Sequence, residues 1–402
     1  MTRIERLTLR GEGVGEGLVF SRVLPGETVE GVAVDGRVAL PRILTPSPHR
    51  VSAPCRHYKA CGGCALMHAS DAFVADWKTA VVSQALSAQG IAAPFRPVLT
   101  SPPGTRRRAT LTGRRLKSGA LVGFHGRASD TVTAVPDCRL LDPALLAALP
   151  AMEALVIEGA SRKAEMRLTA TLFRQGVEIA VEGGKPLDAI LRQTLPGIAA
   201  RHSLVRLSWN GEILVQEEPP VLAMGRALVS PPPGAFLQAT PQGEAGLLDA
   251  VRDALGPARH VADLFAGCGT FALPLAETAE VHAVEGAAAM LAALDRGWRS
   301  ATGLKRVTTE ARDLFRRPLL PEELARFDAV VIDPPRAGAE AQVAELARAA
   351  VPVIAHVSCN PVTFARDART LAAAGYRLDW VQVVDQFRWS AHVELAARFS
   401  RD

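Results

Sequence analysis

The pattern of apolar and polar positions changes character twice along the chain. In residues 1–45, short alternating runs (RIERLTLR, GEGVGEGLVF, ETVEGVAVDGRVALP) are broken by glycine and proline. Period-two patterning with Gly-rich turns predicts a small antiparallel β-barrel of OB type. From Pro46 to Cys64 the periodicity vanishes and Pro, Cys and Gly dominate, which predicts irregular chain tied down by something other than an apolar core. Residues 65–235 mix both periods. ADWKTAVVSQALSAQG reads as an amphipathic helix ending at Gly90, and RKAEMRLTATLFRQGVEIAVEGG reads as a hairpin. The run Ser230-Pro-Pro-Pro-Gly234 punctuates the end of this region.

From about residue 236 strands alternate with helices. The predicted strands are HVADLF (260–265), VHAVEG (281–286), VTTEARD (307–313), FDAVVID (327–333) and PVIAHVSC (352–359). YRLDWVQVVDQF and HVELAARFSR follow, joined by a short turn around Arg388–Ala391. Five alternating units and a terminal hairpin predict a doubly wound α/β sheet with an antiparallel edge. The expected division is therefore a barrel over 1–45, an α+β central region over 46–235 and an α/β domain over 236–402.

Composition adds limits. A chain of 402 residues can hold two or three cores, and 48% apolar with 22% charged residues is ordinary for a globular protein. No 18 consecutive residues are apolar and the N-terminus has no signal-like apolar core, so a cytoplasmic protein without a membrane span is expected. Nothing calls for an obligate protein partner. Charge is uneven: residues 1–120 hold 17 Lys/Arg against 8 Asp/Glu, or +9, and the rest hold 29 against 33, or −4. Residues 77–129 carry nine basic residues, among them Arg106, Arg107, Arg108, Arg114, Arg115 and Lys117, and no acid. Such asymmetry suits a polyanionic partner held through phosphates, although a solvated basic face without a partner would look the same.

The candidate chemistry lies mainly in the C-terminal third. Asp263-Leu-Phe-Ala-Gly267-Cys-Gly269-Thr270 falls where the first strand should pass into its helix, and glycines there let backbone N–H groups approach a ligand. Glu285, ending the next strand, can accept from both ribose hydroxyls of a nucleoside, and Asp313, ending the third, can meet an adenine amino group. This much fits a dehydrogenase as well as a methyltransferase. Asp333-Pro334-Pro335-Arg336 follows the fourth strand, and its prolines give a rigid extended backbone that can press on a flat ring. The fifth strand ends in Ser358-Cys359-Asn360-Pro361, where Asn360 can cap a helix begun by Pro361. A thiol at that sheet edge, beside a positive helix terminus, is expected to be exposed and to have a lowered pKa. C5 of uracil is too weak a nucleophile to accept a methyl group directly. A thiolate adding to C6 produces an enolate with a nucleophilic C5, and a base must later remove the C5 proton. Glu394, in His392-Val-Glu394, is the candidate base, expected on the last strand with His392 on the same face.

The motifs DLFAGCGTF, DPPRAG, SCNP and HVE, in this order and spacing, resemble those of the RNA 5-methyluridine methyltransferase family. The resemblance spans nearly the whole chain. It implies a Rossmann-like class I methyltransferase domain that uses S-adenosylmethionine, bound by Gln238, Phe265, Gly267, Thr270, Glu285, Asp313 and Asp333. It further implies Cys359 as the nucleophile, Glu394 as the base and Arg336 as a uracil contact. Cys55-x5-Cys61-Gly-Gly-Cys64 with the distant Cys138 resembles the 4Fe-4S cluster spacing of the family's ribosomal RNA branch, with a four-cysteine zinc site as the rival. Residues 1–45 resemble the family's TRAM domain in shortened form. Those features favour 23S rRNA as the substrate, with the tRNA T-loop as the alternative. An amino-group methyltransferase would place an aromatic residue where Arg336 stands, and a 5-methylcytosine enzyme would place a second Cys near that motif. A non-catalytic RNA-binding protein would leave SCNP without a purpose.

Overall fold

The protein is described by a computed structural model covering residues 1–401. The N-terminal strands do not close into one antiparallel barrel. They form a three-stranded sheet (Thr2–Arg3, Thr28–Glu30, Arg42–Thr45) and a four-stranded one (Arg6–Leu7, Gly13–Gly15, Leu18–Phe20, Arg37–Val38), the last two of whose strands run parallel. Their common core is small: Ile4, Phe20, Val23, Val29 and Val38. Elements of two to four residues supply few side chains, and a handful of apolar residues can cover only two short sheets.

The central region is a seven-stranded sheet with Arg108–Arg115, Met166–Leu172 and Val177–Glu182 in its middle. Met166–Leu172 and Val177–Glu182 form the expected hairpin. Helices Leu149–Gly159 and Ala189–Arg201 bury Met152, Leu155, Leu195 and Ile198 with Leu111, Leu168 and Ile179. Trp209 is fully buried in this core, and Gly159 and Gly184 make room for it: a Cβ would lie 2.0 Å and 2.3 Å from its ring, respectively.

The C-terminal sheet has eight strands. We label its elements in chain order as α1 (Asp71–Ser87), β1 (Phe95–Thr100), α2 (Pro241–Leu255), β2 (His260–Leu264), β3 (Glu280–Glu285), α3 (Ala288–Ser300), β4 (Val307–Ala311), β5 (Ala329–Ile332), α4 (Glu340–Ala349), β6 (Val353–Ser358), α5 (Pro361–Ala373), β7 (Arg377–Asp385) and β8 (Leu395–Ser400). The strand order is β4-β3-β2-β5-β6-β8-β7-β1. β2 to β6 are parallel, and β8 runs antiparallel to both its neighbours. Residues 329–332, Ala-Val-Val-Ile, are buried without a break because helices cover both faces. α2 and α3 pack on one face through Leu247, Val251, Leu291 and Leu294. α1, α4 and α5 pack on the other through Val82, Leu86, Val343, Leu346 and Phe364.

Two elements cross the division expected at residue 236. β1 pairs in parallel with β7, so the terminal hairpin is not the sheet edge. α1 packs on α5, and its Lys78, fully buried, donates to Asp385 Oδ1 at 2.5 Å and to the Phe387 carbonyl at 3.2 Å. α1 stops at Ser87 with Ala88 as its C-cap, earlier than the expected end at Gly90, which closes the following turn at φ +74° by donating to the Ser87 carbonyl at 2.9 Å; the strand after it serves the C-terminal sheet.

The arginine run 106–108 is not a solvated phosphate rake either. Arg107 is buried, pairs with Glu244 and donates to the Gln238 carbonyl at 3.2 Å. Arg108 donates to the carbonyls of Ala235 (2.9 Å) and Gly234 (3.0 Å), and Arg106 lies over the Phe387 ring. Arg107 and Arg108 thus join the central region to the segment entering α2, and Arg106 joins it to the loop after β7. No helix among the described residues is long and apolar enough to cross a membrane.

Candidate active site

The polarity of the sheet places the site. Connections leave β2 toward β3 on one side and β5 toward β6 on the other, so a crevice opens at the carboxyl ends of β2 and β5, where open α/β sheets bind ligands. A cavity of about 750 Å³ occupies it. Gln238, Phe265, Gly267, Thr270, Glu285, Asp313, Asp333, Cys359 and Glu394, widely separated in sequence, all line it, together with Arg336 and His392.

One end is shaped by the loop after β2. Phe265 has φ +62° and Gly267 φ +55°; the left-handed conformation is strained for a phenylalanine, a feature that collects at ligand sites. Gly269, at φ +99°, admits no side chain, since a Cβ would approach Leu273 and Leu294 within 2.8–2.9 Å. Glu285 accepts from Gly267 N–H (3.0 Å) and Ala287 N–H (2.8 Å), so its carboxylate is fixed at the mouth of the loop. Phe315, nearly half exposed, packs 5.4 Å from Phe265 beside Asp313. Two acids, glycine-shaped backbone and paired aromatic rings suit a nucleoside with its ribose and base. Phe236, Met290 and Phe315 line the same cavity and were missed from sequence, where a lone apolar residue in a loop carries no periodic signal. Cys268 is buried against the α2–α3 core and belongs with packing.

The other end holds Cys359, Glu394, Asp333 and Arg336. Asn360 caps α5 by accepting from Val362 N–H at 3.1 Å, and its Nδ2 donates to the Arg336 carbonyl at 2.9 Å. The DPPR and SCNP turns are thereby locked together. Burial dominates the electrostatics. The Cys359 thiol is half-buried, and burial together with the charges of Glu394 and Asp333 pushes it up to about 11, against the opposing charge of Arg336 and a backbone hydrogen bond. The lowered thiol pKa expected from the helix terminus is therefore overturned: two nearby carboxylates and desolvation outweigh a half-charge of helix dipole. Burial raises Glu394 to about 7, against a hydrogen bond from Gln386 and the charge of Arg336. Asp333 is raised well above the usual carboxylate range by burial and by the charges of Glu394 and Asp263. His392 is lowered to about 4 by burial and by Arg336, Lys78 and Arg106, so near neutral pH it is uncharged and accepts from Arg336 at 2.7 Å.

Glu394 does not lie on the last strand as expected. β8 begins at Leu395, and His392 and Glu394 sit in the loop before it, where both still line the cavity. The residue that grips Glu394 is Gln386, eight positions earlier, and sequence gave no sign of it.

A second cavity, of about 340 Å³, is lined by Cys55, Cys61, Cys64 and Cys138 together with Arg106, Ser390 and His392. Among the described residues no three His, Cys, Asp or Glu side chains gather closely enough to hold a single metal ion. The cysteine loop docks directly on the loop bearing Glu394: Ala65 and Leu66 N–H groups both donate to the Trp389 carbonyl (2.7 and 2.8 Å), and Trp389 packs with Tyr58 and Met67.

This fold, with a cavity at the switch point lined by a cysteine and carboxyl groups, is that of an α/β methyltransferase. Comparison with known proteins narrows the class. A family model described as tRNA (Uracil-5-)-methyltransferase matches residues 234–401. An uncharacterized RNA methyltransferase of Rhizobium meliloti (strain 1021) is 43% identical over 99% of this chain and 98% of its own length. The 23S rRNA (uracil(1939)-C(5))-methyltransferase of Hahella chejuensis is 31% identical over 99% of this chain and 96% of its own. In fold, the Pyrococcus abyssi tRNA (uracil-54, C5)-methyltransferase solved with S-adenosyl-L-homocysteine matches with TM-score 0.77 over 99% of both chains at 22% identity. The chain belongs to the RNA uracil-C5 methyltransferase family, whose members are S-adenosylmethionine-dependent enzymes.

Proposed function

We propose that this protein methylates C5 of a uridine in 23S rRNA, with Cys359 as covalent nucleophile and Glu394 as the base. The observation that carries this reading is the meeting, in one cavity, of a cysteine, a carboxyl group raised to about 7 and a recess lined by Phe265, Glu285, Asp313 and Phe315. The residues fit the donor: Glu285 suits the ribose hydroxyls, Asp313 the adenine amino group, and Phe265, Gly267, Thr270 and Gln238 the remaining contacts. S-adenosylmethionine, when bound there, supplies an electrophilic methyl group.

Cys359, once deprotonated, forms a bond from sulfur to C6 of the uracil, and the C5–C6 electron pair moves into an enolate toward O4. C5 then takes the methyl group. Glu394 removes the C5 proton, the C6–S bond breaks, and the double bond and thiolate are restored. Arg336 holds the uracil, and Asp333 joins the contacts to the methyl donor. The N-terminal sheets (1–45, TRAM-like) and the central region (46–235) form the RNA-binding surface.

The 31%-identical relative named for 23S rRNA favours that substrate, and transfer RNA is the second reading. We further propose that Cys55, Cys61, Cys64 and Cys138 hold a 4Fe-4S cluster. Four thiols line one cavity of about 340 Å³, which leaves room between them for a group larger than a single ion, whereas zinc would draw all four sulfurs to within about 2.3 Å of one centre.

The test is a trap. RNA carrying 5-fluorouridine has no C5 proton to lose, so with S-adenosylmethionine it should leave a denaturation-resistant protein–RNA adduct. Adducts with a 23S rRNA fragment but not with transfer RNA support the reading. Adducts only with transfer RNA replace the substrate, and none with either removes the mechanism.

A further inference from the structure

The geometry points to Gln386 as a positioning residue that couples the methyl-donor side of the site to the base and fixes which oxygen of Glu394 takes the proton. This rests on Glu394 being the base. Gln386 is 2% exposed, in the loop following β7. Its orientation is set by the backbone: Ala239 N–H donates to Gln386 Oε1 at 2.7 Å, so the amide nitrogen must face the other way. That nitrogen donates both its hydrogens, one to Gln238 Oε1 (2.5 Å) and one to Glu394 Oε2 (2.9 Å). Every hydrogen-bonding direction of this buried amide but one carbonyl lone pair is used.

The space it fills is reserved. Gly243, in the first turn of α2, would place a Cβ 2.5 Å from the Gln386 Cβ and 3.1 Å from its Oε1. The helix lacks a side chain where Gln386 lies. Two consequences follow. Gln238 has its oxygen committed to Gln386, which leaves its NH2 to offer to a ligand in the donor recess. Glu394 has Oε2 committed as an acceptor, so the C5 proton lands on Oε1. The other charged or titratable groups bearing on Glu394 are Asp333 after β5, Arg336 in the same turn, and Cys359 after β6; His392 lines the same cavity on its own loop. Gln386 is the neutral donor that favours the ionised carboxylate among them.

Gln386→Met removes the donor at nearly constant volume. Gln386→Glu keeps an acceptor for Ala239 N–H and guards against misfolding of the first variant. Both are compared with wild type and Glu394→Gln for the decay of the methylated covalent RNA adduct across pH, and thermal melting reports folding. Loss of a hydrogen bond to a charged group should slow adduct decay by roughly tenfold or more in Gln386→Met. Its pH midpoint should rise by about one unit in both variants, because Glu394 must ionise without its donor. A slower decay with an unmoved midpoint marks a merely structural role and overturns the proposal, as does wild-type decay in both variants while Glu394→Gln traps the adduct. Should Glu394→Gln itself resolve the adduct normally, the base assignment fails and this inference goes with it.

Discussion

Cys359 follows β6 and lines one cavity with Asp333, Arg336 and Glu394. A nucleophile is usually activated by lowering its pKa, yet burial and two carboxylates push this thiol up to about 11. The sign follows directly: the neutral thiol dominates the free enzyme at all pH values below about 11, and the thiolate gains population only as pH rises. The reactive thiolate is therefore a minor species of the free enzyme near neutral pH. Protonation of Asp333, itself raised by its neighbours, would remove one of the opposing charges. We predict that iodoacetamide modifies Cys359 slowly near pH 8 and increasingly fast toward pH 11, as followed by mass spectrometry of the Cys359 peptide. Rapid alkylation at pH 7 would mean that the helix terminus dominates after all. Cys359→Ala should abolish methylation while retaining S-adenosyl-L-homocysteine binding by calorimetry, since the donor recess is built from other residues. Turnover by that variant would exclude it as nucleophile.

At the level of elements, the part least legible in the sequence is the attachment of α1 and β1 to the distal half of the C-terminal sheet. The α/β strands were readable because parallel strands buried on both faces are continuous apolar runs, such as Val-Val-Ile at 330–332. The Asn360 cap and Gly269 were readable because each satisfies a local rule. Lys78 was not: a lysine on a helix reads as solvated, and here it is fully buried against Asp385, 307 residues away. Arg107 misled in the same way, since a basic cluster looks alike whether it meets phosphate or Glu244. Only tertiary contacts decide such cases. Lys78 also holds the Phe387 carbonyl, next to Gln386, so the pair anchors the start of the loop that carries Glu394. Removing one partner leaves a buried charge unpaired. We predict that Lys78→Met lowers stability by about 3–5 kcal/mol in denaturant unfolding, and that adding Asp385→Leu restores most of it. A loss of under about 1 kcal/mol in the single variant would place the pair among weak ion pairs.

Across the whole molecule, the three regions meet at residues 386–394. The central region reaches this loop through Arg106 over Phe387, the C-terminal sheet through Lys78, and the cysteine loop through the two N–H groups on the Trp389 carbonyl. The cysteine loop is rich in Pro and Gly and contributes few residues to its small apolar cluster of Tyr58, Met67 and Trp389. Its ordering entropy, about 1–2 kcal/mol per residue, exceeds what that cluster can offset at about 25 cal/mol per Å² of apolar surface. A covalent metal staple between Cys55, Cys61 and Cys64 on one side and Cys138 on the other would supply the difference. Protein prepared without oxygen should therefore be brown and carry about four iron and four sulfide per chain. Cys64→Ser should lose iron, melt at lower temperature and expose Trp389, which is 7% exposed in the folded chain, as read by quenching of its fluorescence in a variant lacking the other tryptophans. Stoichiometric zinc without sulfide would replace the cluster with a four-cysteine zinc site. Full stability without any metal would mean that the loop is held by its backbone contacts to Trp389 alone.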